Sequence, residues 1–464
     1  MKRIIITLTA VISASILAGQ IIHVPGDYPT IQQGINASVQ GDTVLVAPGE
    51  YHENLNLNGK NIVLCSDYAL TGNLNDVMTT IINGDSPVHP DTASCILIVS
   101  GEDSTAVVEG FTITGGNGTK WEDEHGPGNF YTEGGGFLIQ YSSPSIKNNI
   151  IRNNKATNYG SGIVSAGGGA IRCGDGNPHI LNNLIVYNQG RYGGGLVLNY
   201  SGAEIRNNIF AWNTGGQDYG GGGLWLLSNG DSPVIVHNNT IVNNHSALGG
   251  GGIRLWSSQA QITNNIIWGN TAVNAPQIQG NTGTVTYCCV EGGWTGTGNI
   301  SSEPVFLNTD FILDELSECV DSGNPEPSFN DPEDFGNPGY ALYPARGTVT
   351  NDMGAFGGPG CLQIPEIITA IDAKAVTSVG KRMVVVSPNP AWDGIIRLNS
   401  VVSDDLNFTL TVKDITGMTI QSRNFNLSAF GSALLNLGSL PSETYLVKID
   451  FANNRAQVEK LIIP

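Results

Sequence analysis

The chain has 464 residues, with 21 Lys and Arg against 40 Asp and Glu, 61 Gly and 22 Pro. Glycine stands at nearly twice its usual share of about 7%, and charged residues make up only 13%, so a helical enzyme is excluded and an all-β class of strands and turns is expected. A formal charge of −19 excludes nucleic acid and anionic membrane surfaces as partners, because both need a basic footprint, and it suits cation binding.

The N-terminal stretch opens with Lys2 and Arg3, continues through an apolar run from Ile4 to Leu17 and ends in Ala18-Gly19-Gln20. This reads as a secretory signal peptide over residues 1–19, too short to span a bilayer, which takes roughly 20 apolar residues. No later run reaches that length, so no transmembrane segment is expected in the mature chain, and export places its seven cysteines in an oxidising setting. Cys319 and Cys361 flank one irregular, Pro- and Gly-rich stretch and form the candidate disulfide. The neighbours Cys288 and Cys289 are poorly placed to pair with each other, and no zinc spacing occurs.

Five segments then share one pattern, with an Asn-Asn pair three residues from the start and a further Asn at the end: Ile146 to Asn154, Ile180 to Asn188, Ile205 to Asn213, Val236 to Asn244 and Ile262 to Asn270. Their first paired asparagines, Asn148, Asn182, Asn207, Asn238 and Asn264, are 34, 25, 31 and 26 residues apart, which is the spacing of solenoid coils with insertions. A glycine cluster and a short strand precede each: Phe137-Leu138-Ile139, Ile171-Arg172-Cys173, Leu196-Val197-Leu198, Leu224-Trp225-Leu226 and Ile253-Arg254-Leu255. Four of these strands start 11 residues before their Asn pair; the one at Leu224 starts 14 before, with three residues inserted around Asn229-Gly230-Asp231. This is a parallel β-solenoid pattern, and leucine-rich or propeller frames do not fit it. Asn149, Asn183, Asn208, Asn239 and Asn265 predict one internal hydrogen-bonded ladder, and Asn154, Asn188, Asn213, Asn244 and Asn270 a second.

The repeat resembles the right-handed parallel β-helix repeats of the pectate-lyase-like superfamily. Tyr28-Pro-Thr-Ile-Gln-Gln-Gly-Ile35 followed by Gly41-Asp-Thr-Val-Leu-Val-Ala-Pro-Gly-Glu-Tyr-His-Glu53 resembles its capping helix and first coil. Gly298-Asn-Ile-Ser-Ser-Glu-Pro-Val-Phe306, Cys319-Val-Asp-Ser-Gly-Asn-Pro325 and Asn351-Asp-Met-Gly-Ala-Phe356 resemble the closing segment of secreted β-helix proteins. The resemblance implies a β-helix over residues 20–361.

A linker is expected over 362–381, and a small antiparallel β-sandwich over 382–464, with strands around Phe408-Thr-Leu-Thr-Val-Lys-Asp414, Leu434-Leu-Asn-Leu437 and Tyr445-Leu-Val-Lys-Ile449. Val384-Val-Val-Ser-Pro-Asn-Pro390, Asp414-Ile-Thr-Gly417, Leu440-Pro-Ser-Glu-Thr-Tyr-Leu-Val-Lys448 and Glu459-Lys-Leu-Ile-Ile-Pro464 resemble type IX secretion sorting domains. That resemblance implies handling by the type IX machinery and a product that is extracellular or attached to the outer cell surface.

Alternation supplies the candidate site. If Ile171, Leu196, Leu224 and Ile253 point inward, Arg172, Val197, Trp225 and Arg254 form an exposed outer column, joined by Asn199, Leu227 and Trp256 and by the turn residues Tyr131, Glu133, Arg191, Tyr192, Asp218, Tyr219 and His245. Trp225, Trp256, Tyr192, Tyr219, Asp218 and Asn199 are the candidate sugar-binding residues, since aromatic faces stack on sugar rings and arginines pair with uronate carboxylates. For an elimination reaction, Arg172, Arg191 or Arg254 is the candidate base and Tyr192 or Tyr219 the candidate acid. The only Asp-Asp pair, Asp404-Asp405, falls in the sorting module, so a polygalacturonase-type pair is missing. The acidic runs at Glu122-Asp123-Glu124 and at Asp331, Glu333 and Asp334 are weak calcium candidates. The expected function is binding, with degradation by a lyase- or hydrolase-like site, of extracellular polysaccharide by a monomer; the alternative is a non-catalytic adhesin or structural solenoid.

Overall fold

The two asparagines of each pair do different work in the structure, a computed structural model. The first occupies the left-handed backbone region, with φ of 56° at Asn148, 53° at Asn182, 56° at Asn207, 52° at Asn238 and 60° at Asn264, a conformation Asn adopts more readily than most side chains. That turns the chain sharply and aims the second asparagine inward. From Asn149 through Asn183, Asn208 and Asn239 to Asn265, each backbone N–H and each Nδ2 donates to the Oδ1 one coil on, at 2.9 to 3.2 Å. Five residues later Asn154, Asn188, Asn213, Asn244 and Asn270 repeat the arrangement at 2.9 to 3.1 Å. Both expected ladders are formed, and every member is buried.

The structure describes residues 19–157, 164–216, 219–280, 282–307, 310–362 and 364, and, further on, 384–387, 395–400, 406–413, 419–428, 432–438, 440–441, 444–451 and 456–462. The expected signal peptide therefore lies outside the described residues up to position 18, as does most of the expected linker. The chain divides into two compact units, Met1–Pro365 and Glu366–Pro464.

The first unit is a parallel β-solenoid. One sheet runs through ten strands from Ile21–Val24 to Thr284–Thr286, a second through nine from Gly49–His52 to Cys289–Val290, and a third through eight from Leu55–Asn56 to Ile278–Gln279. Inward side chains such as Ile146, Ile180, Ile205, Val236 and Ile262 stack in one continuous apolar core. A helix at Ile31–Ala37 follows the first strand; Thr30 caps it, and the Glu53 carboxylate accepts from the N–H groups of Ile31 and Gln32 at 2.8 and 2.9 Å. The insertion at Asn229 is absorbed in an exposed turn, where the asparagine side chain accepts from the N–H groups of Asp231 and Ser232. Between the second and third sheets, residues 115–133 fold back as the antiparallel strands Gly118–Glu122 and Phe130–Glu133, flanked by Thr92–Ala93 and Val164–Gly167.

The first asparagines also hold the closing segment. Asn207 donates to the carbonyls of Ala355 and Gly357 at 2.9 and 2.6 Å, Asn238 to that of Asp352 at 3.0 Å and Asn182 to that of Gly360 at 3.2 Å. At the last rung, Thr297 and Ile300 accept from the N–H groups of Tyr287 and Val290 at 2.8 and 2.9 Å, and Ile300 donates back to Cys288. The expected Cys319–Cys361 bridge is not formed in this structure, where both are free thiols. All seven cysteines are buried thiols.

The second unit is the expected antiparallel sandwich. A three-stranded sheet, Val384–Ser387, Ile395–Ser400 and Ser432–Asn436, and a four-stranded sheet, Thr419–Leu427, Leu406–Lys413, Thr444–Phe451 and Ala456–Ile462, share a core that includes Ile396, Leu398, Leu410, Val412, Val447 and Ile449.

Candidate functional site

Strand register in the third sheet brings the predicted column together. Arg172 pairs with Val197, Val197 with Trp225 and Trp225 with Arg254, while Gly174 pairs with Asn199. These side chains leave the solenoid core on the outer face, but the expectation that they are exposed is corrected. Arg172 is 2% exposed and Trp225 4%, because the turns beside the column fold their rings over it. The Tyr192 ring lies 5.3 Å from that of Trp225 and 4.6 Å from that of Tyr219, which in turn lies 5.9 Å from Trp256. Trp225 and Trp256 stack at 6.3 Å with planes 22° apart, and Trp256 remains 39% exposed.

Under these rings opens a cavity of about 310 Å³, lined by Glu133, Arg172, Tyr192, Tyr219, Trp225 and Trp256, with Asp123, His125, Tyr131 and Asn199 completing its rim. At its base the Glu133 carboxylate accepts from Arg172 at 3.2 Å and from Gln140 at 3.1 Å, and Arg172 also donates to the Cys173 carbonyl at 2.7 Å. Arg172 Nε and Trp225 Nε1 are buried donors with no hydrogen-bond partner. Both residues line the cavity.

The electrostatics follow from burial. Burial pushes the Glu133 carboxyl up to about 7 against the pull of Arg172, and the nearby charges of Glu124 and Asp123 push the same way. Burial, with Tyr219 beside it and Arg191 opposing, pushes Tyr192 up to about 12, so its hydroxyl holds its proton. Burial lowers the Arg254 guanidinium, which lies 5.0 Å over the Trp256 ring. Arg191 sits 5.8 Å from both the Tyr192 and Tyr219 rings and donates to the Ser165 carbonyl. His125 meets Asp175 at 3.1 Å and stacks on Tyr200 at 3.8 Å.

Of the predicted site residues, Arg172, Tyr192, Tyr219, Trp225, Trp256 and Asn199 converge on this one cavity, with Arg191 and Arg254 held against its aromatic walls. Asp218 lies outside the described residues. His245 instead bonds Thr271 at 2.9 Å. Asp123 reaches the rim, but Asp331 is turned inward to accept from the N–H groups of Asp352 and Gly358, and Asp334 accepts from the N–H of Gly336 in its own turn. Among the described residues, no three His, Cys, Asp or Glu side chains gather where they could hold a metal ion. The sequence reading placed Glu133 only as a turn residue and passed over its bond to Gln140. The available signal was an isolated acid immediately before the Gly134-Gly135-Gly136 run.

Fold and site together define a parallel β-solenoid with an open aromatic pocket on its flank. Residues 94–267 match the family described as right handed beta helix region, and residues 385–464 match the secretion system C-terminal sorting domain. The two regions are therefore a right-handed β-helix and a type IX sorting domain, and the protein is secreted or attached to the outer cell surface. No curated protein matches the chain. No helix among the described residues is long and apolar enough to cross a membrane.

Proposed function

We propose that the pocket binds extracellular polysaccharide, with a sugar ring stacked on Trp256 and its hydroxyls or carboxylate reaching the Glu133–Arg172 pair. The observation that carries this reading is the juxtaposition of an accessible indole face with unpartnered buried donors in one cavity. Sugars offer an apolar face and a ring of acceptors, which is the complement of such a surface. The resemblance to the pectate-lyase-like superfamily and the extracellular location support the same ligand class. The test is titration of the full chain with neutral and uronate-rich polysaccharides, with and without calcium, following tryptophan fluorescence and heat. Saturable binding weakened by Trp256→Ala supports the reading, and absence of binding across the panel removes it.

A second reading, cleavage of the bound chain, is favoured by Glu133. A carboxyl still protonated near neutral pH is suited to donate to a departing glycosidic oxygen, with the Asp123 carboxylate, which also lines the cavity, available for the second role. For an elimination instead, Arg254 and Arg191 are the bases and Tyr192 the proton donor. Reducing ends without unsaturated products, declining above pH about 7 and lost in Glu133→Gln, support hydrolysis. Unsaturated products lost in Arg254→Ala support elimination. Binding without either product leaves an adhesin.

A further inference from the structure

The pocket has two halves of different origin. Tyr200 and Trp256 line it from the solenoid, whereas Asp123, His125, Tyr131 and Glu133 belong to the inserted hairpin. The hairpin's root is fixed. Gly118 and Thr119 pair with Ala93 and Thr92, Tyr131 and Thr132 pair with Val164 and Ser165, and the buried Ser94 and Thr119 hydroxyls meet at 2.8 Å.

The tip, residues 123–129, is held differently. The Asp123 carboxylate and carbonyl accept from the N–H groups of His125 and Gly126, the Asn129 carbonyl accepts from that of Asp123, and Glu122 Oε1 accepts from that of Gly128, all within the hairpin. The tip reaches the solenoid through the His125 ring, which stacks on Tyr200 at 3.8 Å and meets the Asp175 carboxylate at 3.1 and 3.2 Å. Opposed to this contact stands Glu124, the residue before it, whose two carboxylate oxygens are buried without a hydrogen-bond partner. Burying a carboxylate unpaired is costly, and an outward swing of the tip returns it to water.

We propose that residues 123–129 form a flap that opens and closes over the pocket, latched by His125 on Asp175 and Tyr200 and driven open by the buried Glu124 carboxylate. Opposed contributions of this kind give an element with two populated positions. The flap's purpose rests on the glycan-binding reading: a polymer too long to thread into the cavity is laid in while the tip is away. Closure then brings Asp123 and His125 onto the chain, while Glu133 keeps its place at the root.

The test is carboxyl footprinting of the full chain without ligand, by carbodiimide-driven coupling of glycine ethyl ester and peptide mass spectrometry. Exposed Glu315 and buried, hydrogen-bonded Glu102 serve as the fast and slow references. Glu124 is expected to label at a rate between them in the wild type, and roughly tenfold faster in His125→Ala and in Asp175→Asn, with Glu102 unchanged. A wild-type rate equal to either reference, or a rate that neither variant changes, overturns the proposal. If Glu102 accelerates in one variant, that variant has lost its fold, and the other variant and the wild-type comparison decide. No glycan is present, so a failure here leaves the binding proposal standing, and a failure of binding leaves this result standing.

Discussion

Glu133 and Arg172, brought from an inserted strand and a solenoid strand 39 residues apart, form an ion pair at 3.2 Å with side chains only 2% and 3% exposed. The two partners are not equivalent. Glu133 can shed its charge by taking a proton, whereas a guanidinium stays charged at any accessible pH. Glu133→Gln, an isostere of the protonated carboxyl, is therefore expected to cost little below pH about 7, and Arg172→Gln to cost about 2 kcal/mol or more, because it also removes the bond to the Cys173 carbonyl. Denaturant midpoints of the two variants measure the difference.

The same carboxyl sets a pH dependence. Its folded value, about 7, lies above the ordinary 4.5, so the folded protein holds a proton that the unfolded chain releases. Its contribution is fully present below pH 4.5, declines as pH rises to about 7 and is flat above. At about 1.4 kcal/mol per pH unit, the loss is on the order of 3 kcal/mol. Thermal midpoints across this window are expected to fall for the wild type, and to fall less for Glu133→Gln. Asp331, pushed upward by burial and by Asp352, and Asp352, pushed upward by burial and by Asp321, contribute the same sign in both proteins.

Trp256 is the accessible half of the indole pair, while Trp225 is covered. Under the glycan-binding proposal, Trp256→Ala weakens affinity roughly tenfold with little change in stability, and Trp256→Tyr restores part of it. Trp225→Ala instead lowers the unfolding midpoint. Calorimetric titration alongside thermal melting separates the two.

Within the ladders, Asn208 accepts from both nitrogens of Asn183 and donates to Asn239 and to the Ile180 carbonyl. Asn208→Ala leaves buried groups unsatisfied on the coils to either side and is expected to destabilise the fold by about 3 kcal/mol or more, read from urea unfolding. Asn207→Gly keeps the left-handed turn but releases Ala355 and Gly357, so proteolysis of the closing segment should accelerate before global unfolding does.

Gly222 passes so close to the next coil that a Cβ there would lie 2.3 Å from the Gly251 carbonyl oxygen. Gly222→Ala is expected to cost about 2 kcal/mol or more by prising the coils apart beside the pocket, measurable as a lower thermal midpoint.

Much of this was legible in the sequence because a solenoid writes its register into its repeats. The distance from strand to Asn pair, kept in all but the Leu224 strand with its three-residue insertion, placed Arg172, Val197, Trp225 and Arg254 in one column, as the strand pairings have it. Exposure was not legible, since periodicity says which way Trp225 points but not that Tyr192 and Tyr219 cover it. The role of the first asparagine was hidden for a similar reason. Its partners Ala355 and Gly357 lie about 150 residues away, in a segment without any repeat. Glu133 stayed obscure because its strand belongs to an insertion that occurs once.

The seal at the last rung bears on how such chains behave when concentrated. A stack of parallel strands invites indefinite growth, since its final edge presents the same unpaired N–H and C=O groups as every edge buried inside it. Here Ile300 occupies that position on the second sheet, and Thr297 takes the N–H of Tyr287 beside it. A second copy arriving end to end meets hydrogen bonds already made, and a crowded surface coat of these proteins is denied one route to fibre formation.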